Sequence, residues 1–318
     1  MRLAIALLSL IATSSVAGPR RFPSTPAVPR PPMSPISPHS GLESRVTALE
    51  AEVASLRLSL DALRALLVHF SRQGDEVTIT GANLHIVNGQ GNTGTTNALG
   101  NLIIGYQEER IGSTTDRSGS HMLVVGAGHN YSGYAGIVAG INNTTSGEGS
   151  SVLAGRFNTA IGFSSSVTAG RSNVASGSLS SVSGGERNEA RGRSSSVSAG
   201  FGNIATGDHS SVSGGVSNES SGFMASISGG SDNAATGDSS AVNGGQGNQA
   251  AGRHSSIAGG QANEAVGDES SICGGSENLT TNNQSSISGG GHNLAQGVRS
   301  WIGGGCNKIA SSVCASVP

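Results

Sequence analysis

The chain has 318 residues, a net charge of −2, 12% charged residues, 3% aromatics and 50 glycines. That balance offers no basic field to nucleic acid and no polybasic run to a lipid surface. Glycine and serine at this density also argue against a mainly helical protein.

Residues 1–17 read as a secretory leader: Arg2, the apolar run Leu3 to Ala12, then Ser15-Val16-Ala17 as a small-x-small cleavage site. An uncleaved anchor is the alternative, although the run is too short to span a bilayer. Residues 18–41 hold eight of the chain's nine prolines and read as an extended linker.

The segment 42–73 is expected to be a coiled coil. Leu42, Val46, Leu49, Val53, Leu56, Leu60, Leu63, Leu67 and Phe70 alternate spacings of four and three. Valine at the a positions with leucine at d favours two strands. Against that, Arg45-Val46-Thr47-Ala48-Leu49-Glu50 matches the R-h-x-x-h-E pattern of parallel trimers, and three copies are expected.

Residues 74–141 form a transition. Val77-Thr78-Ile79 and Leu84-His85-Ile86 alternate as strands, while Leu102-Ile103-Ile104 and Leu123-Val124-Val125 anticipate the repeat that follows. Between them runs the longest insertion, Tyr106 to Met122. With all three tyrosines nearby, it supplies the candidate recognition residues Tyr106, Glu108, Arg110, Arg117, His121, Tyr131 and Tyr134. The competing reading is a cap over the open end of a solenoid.

From 142 to 305 one 15-residue unit recurs, with asparagine at 143, 158, 173, 188, 203, 218, 233, 248, 263, 278 and 293. Every Val182-equivalent is Val or Ile, every Gly185-equivalent is Gly, and the Gly192 slot departs from Gly only at Asn282. A period this strict means a solenoid. Period-two alternation turns Val182 inward with Ser181 and Ser183 outward, and groups Asn188, Ala190 and Gly192 inside. Two short strands per coil, stacked in parallel about 4.8 Å apart, would build ladders of Val182, Gly185, Asn188, Ala190 and Gly192. The asparagines are expected to bond amide to amide along the axis. Trp301 is expected to cover the last coil, and 306–318 to form a C-terminal cap.

This pattern resembles the YadA-type head repeats of trimeric autotransporter adhesins. The resemblance rests on the S-x-V-x-x-G and N-x-A-x-G segments around Val182, Gly185, Asn188, Ala190 and Gly192. It implies a left-handed parallel β-roll and a homotrimer. The family's unit is nearer 14 residues, its head precedes its stalk, and it ends in a membrane barrel, none of which this sequence repeats.

Chemistry is sparse. Gly89-x-Gly91-x-x-Gly94 matches a dinucleotide fingerprint, but no helical pattern follows it. His121 and His129, and the aspartates Asp208, Asp238 and Asp268 on alternate coils, lack the grouping that metal binding requires. No cofactor, metal or catalytic residue is assigned. Cys306 and Cys314 are placed to close a small loop, leaving Cys273 over. The expected function is a non-catalytic, secreted or surface-displayed structural and adhesive rod, with the periplasm a further location. Its partners would be itself and a surface protein or polysaccharide, with no nucleic acid and no integral membrane anchor. An array-type binder using the outward serine columns, for ice or polysaccharide, is the alternative. A β-solenoid polysaccharide enzyme is more distant.

Overall fold

A computed structural model of the chain describes residues 38–110 and 114–318. The leader 1–17 and the linker up to residue 37 lie outside the described residues. Two compact units divide at Asn83 and Leu84.

The first unit opens with helix α1, Pro38–Leu66. Proline suits the first helical position, where its missing N–H is an unpaired donor in any case. The helix therefore begins inside the expected linker and stops short of 73. Val68, His69 and Phe70 are weak helix formers, and Phe70, expected on the coiled-coil stripe, starts strand β1 (Phe70–Gln73) instead. β1 pairs antiparallel with β2 (Glu76–Ile79) across Gly74-Asp75, with Gly74 at φ 60°. A glycine-first two-residue loop is a hairpin signal, here masked by the heptad pattern running into it. Val46, Leu49 and the other apolar residues of α1 lie 45% (Val53) to 61% (Leu56) exposed along the stripe.

The second unit, from Leu84, is a parallel β-solenoid. Its first stretch corrects one expectation: Leu84-His85-Ile86 forms no strand. Further along, at 97–101, side chains supply most of the hydrogen bonds to the next coil. Asn97 N–H donates to Ser120 Oγ (2.9 Å), Asn101 Nδ2 donates to Gly119 O (2.9 Å), and Asn101 Oδ1 accepts from Met122 N–H (2.9 Å).

Strands β3 (Leu102–Ile104), β4 (Leu123–Ala127), β5 (Asn130–Tyr131) and β6 (Ile137–Ile141) begin the stack. The Val182 column belongs to a sheet of 15 strands and the Ala190 column to one of 13, each pairing coil to next coil in parallel. A third ladder of single bridges runs from Ile141 through Glu186 to Cys306. Val182, Asn188 and Ala190 are fully buried, as are their equivalents in nearly every coil.

The two coil lengths meet at Val152. Val124, Val138 and Val152 are successive partners at a spacing of 14, and Val152, Val167 and Val182 at a spacing of 15. In the shorter coils, β4 and β6 pair over five unbroken residues, Leu123↔Ile137 to Ala127↔Ile141. From Val152 onward the added residue falls between the valine and the Gly185-type glycine. It breaks that strand into a Ser-Val pair and a lone bridge, as a bulge does.

The asparagine ladder differs from the expected amide-to-amide stack. Asn188 Oδ1 accepts from the Asn203 backbone N–H (3.0 Å), while its Nδ2 donates to Gly184 O (2.9 Å) and Gly200 O (3.0 Å). Backbone groups at the corner need partners, and each asparagine supplies three. Amide-to-amide bonds of 3.1–3.2 Å are added only at Asn203, Asn218, Asn233, Asn248 and Asn263.

No separate cap forms at the C-terminus. Residues 306–318 make one more coil, with Ala295↔Ala310 and Ile302↔Val317 in register. Pairing needs only backbone plus the retained Ala310 and Val317 slots, so loss of the consensus elsewhere does not end the stack. Trp301 lies on the outer face, its indole N–H donating to Ser288 Oγ (3.0 Å) one coil back, and so does not cover the end.

Candidate recognition surface

The residues singled out around the insertion do not form one constellation. Tyr131 is 2% exposed and sits in a core cluster with Met122, Val124 and Val138. Burial raises its phenol pKa, and it offers no surface to a partner. Tyr106, by contrast, is 95% exposed, and Glu108 is exposed beside it.

The arginines are occupied within the molecule. Arg110 donates through Nη1 to Thr144 Oγ1 (3.1 Å) and through Nη2 to Asn142 O, which tacks the insertion to a corner of the roll. Burial lowers its pKa. Arg117 donates to Glu108 O (2.6 Å) and lies 3.8 Å from Glu109, whose carboxylate accepts from Thr115 Oγ1 (2.6 Å).

His121 and Tyr134 meet the loop 88–94. His121 Nε2 accepts from Asn88 N–H (3.3 Å) and its Nδ1–H donates to Thr93 O (3.0 Å). A hydrogen bond to Glu148 raises the Tyr134 pKa, and its ring passes under Gly94. His121 thus joins Val87, Asn88, Gly89, Gly91, Asn92 and Thr93 around a cleft of about 400 Å³. Gly89 and Gly91 of the G-x-G-x-x-G match line this cleft, and no helix follows to present amide groups to a phosphate. Most of these contacts lock loops onto the first coils. Tyr106 and Glu108 are the members left facing solvent.

His129 carries a role that sequence reading missed. It fills the asparagine slot of a 14-residue coil: Nδ1 accepts from Asn143 N–H (3.2 Å) as Asn Oδ1 would, and Nε2–H donates to Val125 O (3.0 Å) as Nδ2 would. Its pKa is lowered, chiefly by burial. The clue was its 14-residue distance from Asn143, hidden by a repeat counted in fifteens.

The alternating aspartates are structural as well. Asp208 Oδ1 accepts from Arg193 N–H (2.8 Å), Asp238 from Phe223 N–H (3.2 Å) and Asp268 from Arg253 N–H (2.9 Å), each one coil back. Among the described residues no group of three or more His, Cys, Asp or Glu side chains could hold a metal ion. No described helix is long and apolar enough to cross a membrane. Cys273, Cys306 and Cys314 are all free and exposed, so the suggested Cys306–Cys314 link is not formed. Cys306 belongs to the bridge ladder and Cys314 to the corner with positive φ, which separates them around the coil.

The chain matches no known protein-family model and no curated protein. The likeness to adhesin heads therefore rests on the repeat and the stacked parallel roll.

Proposed function

We propose that this is a non-catalytic structural and adhesive protein, secreted or displayed at a cell surface, in which α1 joins three copies and the roll makes contact with a partner. The left-handed roll of the YadA-type heads is the architecture we assign to it. The observation that carries the reading is the stripe on α1. Seven apolar side chains from Leu42 to Leu63 lie about half exposed in the single chain. Val46, Leu49, Val53 and Ala54, flanked by Glu50 and Arg57, make a shallow apolar strip along it. Leaving such a half-exposed stripe in water forfeits about 1 kcal/mol per large side chain, which knobs-into-holes packing with further copies recovers. Arg45 and Glu50, beside Val46 and Leu49, are the charges assigned to the trimer contact.

The test is the solution mass of the full chain by light scattering, beside a Leu49→Asp/Leu56→Asp variant. Three chains in the native protein, falling to one in the variant, is the expected result. A single chain in both would remove the oligomeric half of the reading. Lack of retention of the native protein on cell envelopes and matrix surfaces would remove the adhesive half.

A further inference from the structure

The core of the roll repeats from end to end, but its outer surface does not. Between Ile141 and Met224 ten large apolar side chains are exposed; between 225 and 297 there is only Val266. All four phenylalanines of the roll, Phe157, Phe163, Phe201 and Phe223, lie in the first of these stretches, 41–51% exposed. Charge divides at nearly the same place. Residues 150–194 carry five arginines against two glutamates, a net +3. Residues 195–298 carry eight carboxylates against Arg253 alone, a net −7. Nothing in the ladders requires this division, since the same slots elsewhere hold Ser, Gln and Gly.

The two features meet on one corner. The bridge ladder stacks Arg156, Arg171, Glu186 and Phe201 on successive coils, with Phe157 and Arg187 one residue further round. Arg156 lies over the Phe157 ring at 5.5 Å and Arg187 over Phe201 at 5.6 Å. Glu186 draws in both neighbours, with Arg171 at 3.5 Å and Arg187 at 3.9 Å. Phe157 holds φ 59° in a slot that is left-handed in every coil and that others fill with Ser172, Gly202 or Ser217, so the backbone does not call for an aromatic there. A ring kept half in water contributes little to folding, and exposed apolar surface set beside charge points to use.

We propose that this corner, from Arg156 to Phe201, binds an acidic polysaccharide laid along the roll axis. Coils rise about 4.8 Å, close to the length of one pyranose unit in an extended chain, so successive sugars meet successive coils. Guanidinium groups pair with sugar carboxylates through charge-assisted hydrogen bonds. The phenylalanine rings take the apolar C–H faces of the sugars. The acidic coils beyond Asp208 repel the same chain and set the end of the site. This assignment rests on the adhesive reading above and gives it a ligand class.

The test is calorimetric titration of polygalacturonate into the full chain at low and high salt. Neutral dextran and vesicles rich in phosphatidylglycerol serve as comparisons. The variants borrow residues already present in the same slots: Arg156→Gln with Arg171→Gln, and Phe157→Ser with Phe201→Gln. Each pair is expected to weaken polygalacturonate binding at least about tenfold, with added salt acting mainly on the arginine contribution. Arg253→Ser should leave binding unchanged. Native affinity in both folded double variants would overturn the site. Equal binding of dextran or of vesicles would overturn the ligand class. No binding by a native chain that is retained on envelopes would overturn this assignment alone; loss of both would take the adhesive reading with it.

Discussion

Glycine serves two different purposes in each coil. Gly185 holds φ 84°, and a Cβ there would also come within 2.2 Å of Gly200 O and 2.5 Å of the Asn188 amide. Gly192 needs no positive φ; a Cβ built on it would lie 2.1 Å from Gly207 O and 2.5 Å from Gly207 C, so the slot is set by how closely coils approach. Tolerance of left-handed angles is thus not why the slot is glycine. Asn282, its one exception, keeps its carbonyl stacked beside Gly267 like the glycines and is exposed, its side-chain amide donating to Gln296 O on the next coil. Gly184 has neither constraint, with open space around its Cβ, and Ala154, Ala169 and Ala199 occupy its slot. Gly192→Ala is therefore expected to cost about 2–4 kcal/mol, because backbone must move on both coils. Gly184→Ala is expected to be neutral or to stabilise by about 0.5 kcal/mol through the unfolded chain. Thermal melts of the two variants check this, and equal melting temperatures would refute the distinction. The corners at Arg187 (φ 56°) and Ser194 (φ 53°) were not legible in the sequence. Their conformation is imposed from outside: Arg187 N–H donates to Arg171 O (3.0 Å) and Ser194 N–H to Ser178 O (2.8 Å). Slots that accept Arg, His, Leu and Met carry no local signature of it.

A single coil shows how far pattern reading reaches. The inward positions of Val182, Asn188 and Ala190 followed from alternation alone, because a strand has only two faces. What the asparagine bonds to did not follow, since that depends on where neighbouring carbonyls lie in space. The same limit hid the switch from 14 to 15 residues, and with it His129. In its slot the ring accepts at Nδ1, which it can do only while neutral. Its folded pKa is depressed below the unfolded value of about 6.5. The unfolded chain therefore binds the proton more readily, and stability falls as pH drops through about 6.5, by up to about 1.4 kcal/mol per pH unit. The loss ends once the folded form also takes the proton. His129→Asn keeps both hydrogen bonds in a coil length where Asn143 already works. It should flatten the pH dependence of amide exchange around 123–145 between pH 7 and 5. An unchanged slope in the variant would place the acid sensitivity elsewhere.

At the scale of the molecule, every strand of the roll pairs only with the coil before and the coil after it. Stability in such a stack is close to a sum of coil and interface contributions, with no contact that needs the full length. Surface chemistry is then free to vary along the axis while the ladders stay constant, which is how a basic, apolar half and an acidic half share one core. It also means that length is adjustable in whole coils. Deleting 226–240 would bring Ala225 to Ala241 and restore every column: Asn218 below Asn248, Ser220 below Ala250 and Val212 below Val242. Removing one interior coil takes away one buried Ile, one Asn and one Ala together with the ordering cost of 15 residues, and in a repeat array these nearly offset. The shortened chain is expected to keep its circular dichroism per residue and to melt within a few degrees of the native protein. It should also keep its affinity for polygalacturonate, because the deleted coil lies beyond Phe201. Collapse of the fold would show that contacts between copies, registered along the whole roll, hold it together. That outcome would move the source of stability from the single coil to the assembly.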